Sequence, residues 1–221
     1  MTPGNDKMMI LETQVGPLVT NCYVLANVKT KEAIIIDPGA EVQNIISILE
    51  QEELNCIGIF LTHGHCDHIG AVEGLKVQYP TAPIYVGRLE KDLIENPEEN
   101  LSIPIFSKSQ TVKADVFLED GQLLDLLGTQ IEVIETKGHT IGSVCYYVEE
   151  LGVLFSGDTV FYHSVGRTDM PTGNGGEILH SLNEIVLKLP EETTIYPGHG
   201  ENTTVKEEIL NNPFSDGVET L

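Results

Sequence analysis

The sequence predicts an α/β fold in which sheets are covered by helices. Two observations predict it. Short apolar runs of strand length alternate with stretches of helical periodicity, and that strand-then-helix order recurs in both halves of the chain. A third places the chemistry: residues able to bind metals follow directly on the strands, and loops at strand ends gather at one edge of a sheet. At 221 residues a single domain spanning 1–221 is expected, large enough to bury roughly 70% of its extended surface.

The elements follow in order. Met9-Ile10-Leu11, Cys22-Tyr23-Val24-Leu25 and Ala33-Ile34-Ile35-Ile36 read as three strands, the last stopped by the turn Asp37-Pro38-Gly39. Val42, Ile45, Ile46 and Leu49 recur at helical spacing and mark a helix with one buried face. Cys56-Ile57-Gly58-Ile59-Phe60-Leu61 is apolar without alternation, as expected of a strand covered on both faces. Val72, Leu75 and Tyr79 continue as a helix ended by Pro80. Residues 95–109, with Pro97 and Pro104 among Asn, Glu and Ser, read as a loop over the site or a mobile insertion. Strands are expected at 131–134, 144–148, 153–155 and 194–196, one helix carries Ile178, Leu182, Ile185, Val186 and Leu189, and a last helix covers 205–210.

The segment Thr62-His63-Gly64-His65-Cys66-Asp67-His68 carries the most information. It packs three of the seven histidines beside an aspartate. Imidazole and carboxylate suit zinc, iron or manganese, whereas calcium takes oxygen ligands. Two further histidines lie in Gly-His steps, His139 and His199, and Asp158 follows the 153–155 strand in Ser156-Gly157-Asp158-Thr159. His63, His65, Asp67, His68, His139, Asp158 and His199 are thus seven metal-ligand candidates. Zinc takes about four ligands, so seven suit two ions sharing a carboxylate. Taken singly, Asp67 would also serve as a helix cap, Asp158 as a turn residue and each Gly-His as a loop histidine. His163 and His180 have no such context and read as surface or satisfied histidines.

Formal net charge is -22, from 34 acidic and 12 basic side chains. Such a field repels phosphate backbones and argues against nucleic acid as a partner. No apolar stretch approaches the roughly 20 residues that span a bilayer. Met1 to Asp6 lacks the basic-then-apolar plan of a secretory leader. A cytoplasmic protein without a membrane partner is expected. Cys22, Cys56 and Cys145 lie in apolar runs and read as core residues, and no Cys-x-x-Cys pair occurs. Cys66 reads as a ligand, an oxidisable thiol or a bystander.

These motifs, from Asp37-Pro38-Gly39 through Thr62–His68, Gly138-His139-Thr140, Gly157-Asp158-Thr159 and Pro197-Gly198-His199, resemble the metallo-β-lactamase superfamily. Within it the chain is most similar to the type II glyoxalase-like branch, in its short form without a C-terminal helical domain. The resemblance implies a four-layer αββα sandwich with two divalent metals at one sheet edge, zinc first, iron or manganese as alternatives. By the same likeness His63, His65 and His139 would hold one ion, Asp67, His68 and His199 the other, and Asp158 would bridge them. Asp37 matches a position that supports ligands without touching metal. Arg167, in Gly166-Arg167-Thr168-Asp169, matches a basic position near the thiol-bearing part of the substrate; a surface ion pair is its plainer role. Glu201 stands where glutathione-specific relatives place a tyrosine.

The function implied is hydrolysis of a small-molecule thioester, S-lactoylglutathione or a related thiol conjugate, by a hydroxide bridging the metals. Metal-bound water ionises near pH 7, and Asp67 would orient the hydroxide and shuttle its proton. Two alternatives stay open. A persulfide dioxygenase would hold a single iron on His63, His139 and Asp158, and a metal-bearing binding module would catalyse nothing. A class B β-lactamase fits the aspartate pattern less well.

Overall fold

In the computed structural model, which describes residues 7–216, strand pairing shows why so much of the chain is apolar on both sides of each strand. The first sheet has six strands in sequential order: β1 (Met8–Val15), β2 (Thr20–Asn27), β3 (Glu32–Ile36), β4 (Asn55–Leu61), β5 (Ile84–Gly87) and β6 (Val116–Leu118). The pairs β1–β2 and β2–β3 are antiparallel, and β3 to β6 run parallel. Between them lie helices α1 (Val42–Gln51), α2 (Cys66–Ile69), α3 (Val72–Gln78), α4 (Lys91–Glu95) and α5 (Ser102–Phe106).

The second sheet runs in the order β14-β13-β10-β9-β8-β7, from β7 (Leu123–Leu126), β8 (Thr129–Glu135), β9 (Val144–Val148), β10 (Val153–Gly157), β13 (Thr194–Pro197) and β14 (Thr203–Thr204). Only β10 and β13 are parallel neighbours in it. A small hairpin, β11 (Val160–Phe161) with β12 (Ser164–Val165), and helices α6 (Gly175–His180) and α7 (Val205–Asn211) complete the described residues.

Successive residues of a strand point to opposite faces, and here each face meets a different core. In β2, Tyr23 and Leu25 join Ile34, Ile36 and Phe60 against Val133, Tyr146, Phe155 and Tyr196 of the other sheet. Cys22, Val24 and Ala26, on the opposite face, pack with Ile45, Leu49, Val72 and Leu75 of α1 and α3. Cys145, Tyr147, Leu154 and Ile195 of the second sheet meet Leu182, Val186 and Val205 on its outer side. The layers are therefore helix, sheet, sheet, helix, the four-layer sandwich expected. Cys22, Cys56 and Cys145 are buried in these cores as the sequence indicates.

Two expectations need correction. Residues 95–109 are not a plain loop, since α5 forms there between the left-handed residues Leu101 and Ser107. Pro104 is tolerated because the first turn of a helix needs no partner for its N–H. The segment is also tied down, with Asn100 donating to the Gln110 carbonyl (2.8 Å) and Ser102 to that of Pro97 (3.2 Å). The predicted single helix through Leu189 instead divides: α6 ends at His180, a π-helical turn spans Ser181–Ile185 and a 3-10 turn Val186–Lys188. Its apolar face survives, because Leu182 and Val186 still reach the core. No helix among the described residues is long and apolar enough to cross a membrane. Met1 to Asp6, on which the leader reading rests, lie outside the described residues.

Candidate metal centre

The topology brings every candidate donor to one edge. β3 and β4 are parallel and end there, so Asp37 and the His63–His68 segment emerge side by side. In the second sheet β8 ends, β9 begins, and β10 and β13 end at the corresponding edge, which places His139, Asp158 and His199. The two edges are joined by hydrogen bonds. Asn21 donates its backbone N–H to Gly198 (2.7 Å) and its side chain to Pro197 (3.0 Å), and Thr20 bridges to His199. Tyr146 Oη donates to the Leu61 carbonyl at 2.7 Å.

Three groups of three possible donors result, one of which, Asp37 with His63 and His68, has its carboxylate already engaged by Thr62 and by His68 Nδ1; the other two face the shared centre. His63, His65 and His139 form one, and Asp67, His68 and His199 the other. In the first, His65 Nδ1 lies 2.9 Å from His139 Nε2. In the second, Asp67 Oδ2 lies 3.2 Å from His199 Nε2 and 3.6 Å from His68 Nε2. Asp158 stands between them. Its Oδ2 is 3.5 Å from His139 Nε2 and 3.6 Å from His199 Nε2, and its Oδ1 is 3.3 Å from His68 Nε2. A tetrahedral ion with ligands at about 2.0–2.2 Å sets its donor atoms roughly 3.3–3.6 Å apart. The observed spacings fall near that range. His63 Nε2 is buried and has no hydrogen-bond partner, which a stable core rarely leaves uncompensated. The donor set fits divalent ions.

Neighbouring groups fix which ring nitrogen faces the cluster. His68 Nδ1 lies 3.0 Å from Asp37 Oδ2, His139 Nδ1 2.8 Å from the Arg167 carbonyl, His199 Nδ1 3.1 Å from the Leu18 carbonyl and His63 Nδ1 3.1 Å from Thr62 Oγ1. Such partners set the tautomer and orientation of metal-binding imidazoles. Asp37 also accepts from Thr62 N–H (2.8 Å) and Thr62 Oγ1 (2.6 Å), so its carboxylate is already engaged. Thr20 Oγ1 donates to Asp67 at 3.1 Å. At Gly198 no side chain fits, because a Cβ would run into Asp158 Oδ1.

Electrostatics divides the two groups. Burial, reinforced by His139, pushes the His65 pKa down to about 3, and His63 falls well below its ordinary value for similar reasons. His68 goes the other way: burial opposes its charge, but Asp158, Asp67 and Asp37 outweigh it and raise the pKa. Burial alone would raise Asp67 and Asp158, yet the adjacent imidazoles, His68 first, hold both below the usual range, Asp158 at about 2. His63 and His65 are thus neutral imidazoles, whereas the His68 side is a charge-balanced carboxylate cluster.

A cavity of about 430 Å³ opens over the donors. Its walls are largely apolar, with Leu18, Leu101, Ile105, Phe161, Val165 and Met170 around His65, Asp67, Asp158 and Arg167. Arg167 is exposed at this rim and already forms a two-pronged pair with Asp169, both contacts at 2.7 Å. The sequence thus points to its position, while its backbone carbonyl, which meets His139, is a contact motif reading misses. Cys66 is buried at the start of α2, and burial pushes its pKa up to about 12, so it is a neutral thiol. His163 pairs with Glu207 at 2.8 Å, as a satisfied histidine should. Thr20 and Asn21 escaped the sequence reading, although two polar residues opening a wholly buried strand are a usable signal.

An αββα sandwich with a histidine–aspartate donor cluster at its edge defines a class of metal-dependent proteins. The profile of the Metallo-beta-lactamase superfamily matches residues 15–199, and the chain belongs to that superfamily. A protein of Aquifex aeolicus described as uncharacterized is 37% identical over 94% of this chain and 97% of its own. The probable metallo-hydrolase YqgX of Bacillus subtilis is 36% identical over 92% and 95%, and the hydroxyacylglutathione hydrolase GloC of Haemophilus influenzae 34% over 88% and 92%. Among solved structures, the BLEG-1 B3 metallo-beta-lactamase is 39% identical with a TM-score of 0.88, covering 93% of this chain and 99% of that one. TTHA1623 in a di-iron-bound form is 32% identical, TM-score 0.81, over 92% and 99%. ETHE1 from Myxococcus xanthus is 26% identical, TM-score 0.77, over 93% and 84%.

Proposed function

We propose that the chain is a dinuclear metal-dependent hydrolase of thioesters, of the glyoxalase II-like branch. The observation that carries this is Asp158, whose carboxylate lies between two three-donor groups and within 3.6 Å of a histidine in each. When bound, two divalent ions supply an activated water and positive charge for a developing oxyanion. His63, His65 and His139 would hold one ion, and Asp67, His68 and His199 the other. Zinc suits these nitrogen and oxygen donors, and iron is supported by the di-iron form of TTHA1623.

The remaining work falls to protein groups. Asp67 faces the cavity and, oriented by Thr20, accepts a proton from the attacking water. The apolar walls seat the acyl or thiol arm and exclude water. Arg167, released from Asp169, anchors a substrate carboxylate through its planar fork. A thiolate leaving group, with a pKa near 8.5, needs no strong acid to depart. The name of the Haemophilus relative supports this substrate class.

The test is release of free thiol from S-lactoylglutathione and from thioesters with uncharged thiols. Activity should vanish on chelation and in Asp67→Ala. Full turnover by that variant would refute the role given to Asp67. Two neighbours favour other arms of the same assay: BLEG-1 calls for a β-lactam, and ETHE1 for oxygen uptake with a persulfide. One iron per chain with oxygen consumption would replace the hydrolase reading by the dioxygenase built on His63, His139 and Asp158.

A further inference from the structure

Glu90 ends the short turn Arg88–Glu90 that follows β5 and is completely buried. Burying a carboxylate is costly unless partners compensate, and the partners here are neutral. The N–H of Gly64 donates to Oε2 and that of Gly142 to Oε1, each at 2.8 Å, and the Thr140 hydroxyl adds a third hydrogen bond. The two oxygens serve two different sheets. Gly64 is the peptide between His63 and His65, after β4 of the first sheet. Thr140 and Gly142 belong to the loop from β8 to β9 of the second, which carries His139.

Two other hydrogen bonds cross between the sheets nearby, Val144 N–H to Thr62 O at 2.9 Å and Tyr146 Oη to Leu61 O at 2.7 Å. Both grip the chain before His63 and after Gly142. Neither reaches the backbone between the two histidines of the first sheet, nor the turn immediately after His139. Glu90 does both with one rigidly held group.

We infer that Glu90 is a positioning residue that sets the separation of His65 from His139, and with it the affinity of the His63–His65–His139 donors for their ion. It touches none of the three donors and acts through the Gly64 and Gly142 peptides. The inference rests on the metal reading above.

Metal-free wild type and Glu90→Gln are titrated with Zn²⁺ in competition with a chromophoric chelator. Glutamine keeps the volume but turns an amide N–H against one of the two backbone donors. One zinc equivalent should weaken by about 10–100-fold, the range typical of groups that orient metal ligands, while the other keeps wild-type affinity. Glu208→Gln is the control for a merely structural acid. Glu208 is equally buried and accepts from Thr203, Asn212 and the His163 N–H; its loss should lower the unfolding midpoint and leave both affinities unchanged. If Glu90→Gln does not fold, Thr140→Val removes the hydroxyl contact with Glu90, together with the 2.6 Å hydrogen bond between Thr140 Oγ1 and Ser143 Oγ, and should weaken the same equivalent; Ser143→Ala, which removes the Ser143 hydroxyl alone, should leave both affinities unchanged. Two equivalents at wild-type strength, or equal weakening of both, overturns the inference. A wild type that binds no zinc would instead remove the metal reading on which it rests.

Discussion

Asp37 and His68 are 31 positions apart in sequence, yet Asp37 Oδ2 lies 3.0 Å from His68 Nδ1. The contact turns Nε2 of His68 toward Asp67 and Asp158, so an acid outside the donor set decides how a donor points. Asp37 itself sits in the left-handed region at φ 51, which asparagine also tolerates. Asp37→Asn should therefore keep the turn but place an amide N–H against Thr62 or His68. On the proposed metal reading, zinc at the Asp67, His68 and His199 set should bind about 10–100-fold more weakly in a chelator competition, with a near-native circular dichroism spectrum. Unchanged affinity would show that His68 needs no such partner.

The turn after Asp37 bears on the same loop. A Cβ at Gly39 would collide with the Asp67 carbonyl. Gly39→Ala should cost about 1–3 kcal/mol, the range of overpacked sites, read from the midpoint of urea unfolding. A midpoint equal to that of wild type would mean that the loop yields freely.

Metal removal gives a third expectation. Donors come from both sheets, so ions bound there stabilise the native state and not the unfolded chain. Zinc at about 100 times its Kd should add roughly 2.7 kcal/mol per site by mass action. A thermal melt should move up on addition and return on chelation; no movement would count against the site.

Acid sensitivity of the metal-free protein follows from His65. Its native pKa, about 3, lies below the ordinary value of 6.5. The unfolded chain therefore takes up a proton first as pH falls. The contribution of His65 to stability is complete above about pH 6.5 and is lost progressively down to about pH 3. His65→Gln, which has no such proton to gain, should flatten that part of a stability-against-pH curve. A curve with the wild-type slope would contradict the assignment.

Tyr146 offers a contrast, because it touches none of the donors. Its hydroxyl reaches the Leu61 carbonyl across the two sheets. Tyr146→Phe should lose about 1–2 kcal/mol of stability and leave zinc affinity unaltered. A fall in zinc affinity would extend the site's dependence into the core.

Periodicity made the covered strands legible, because Cys56–Leu61 and Val144–Val148 meet apolar layers on both faces and show it as unbroken hydrophobic runs. β6, three residues long, and β7, with exposed Leu123 and Asp125, carry too little pattern to be found that way. α5 was hidden because its start depends on Leu101 adopting a left-handed backbone and on hydrogen bonds from Asn100 and Ser102, all set by tertiary packing. The donors themselves were legible as motifs after strands. Their helpers were not: Glu90 stands alone in Arg88-Leu89-Glu90, and its value arises only where two sheets meet. Arg167 was picked out for its charge, yet it is its carbonyl that contacts His139.

The ordering of donors along the polypeptide has a consequence for biosynthesis. His63, His65 and His139 have all been translated well before His199, which Thr20 bridges while Asn21 bonds to the adjoining Pro197 and Gly198 at the end of β13. His199 follows His139 by 60 residues, so on the ribosome the all-histidine set is complete before its partner set. On the proposed dinuclear reading, a chain truncated before His199 would lose one donor of the Asp67–His68–His199 set and none of the His63–His65–His139 set.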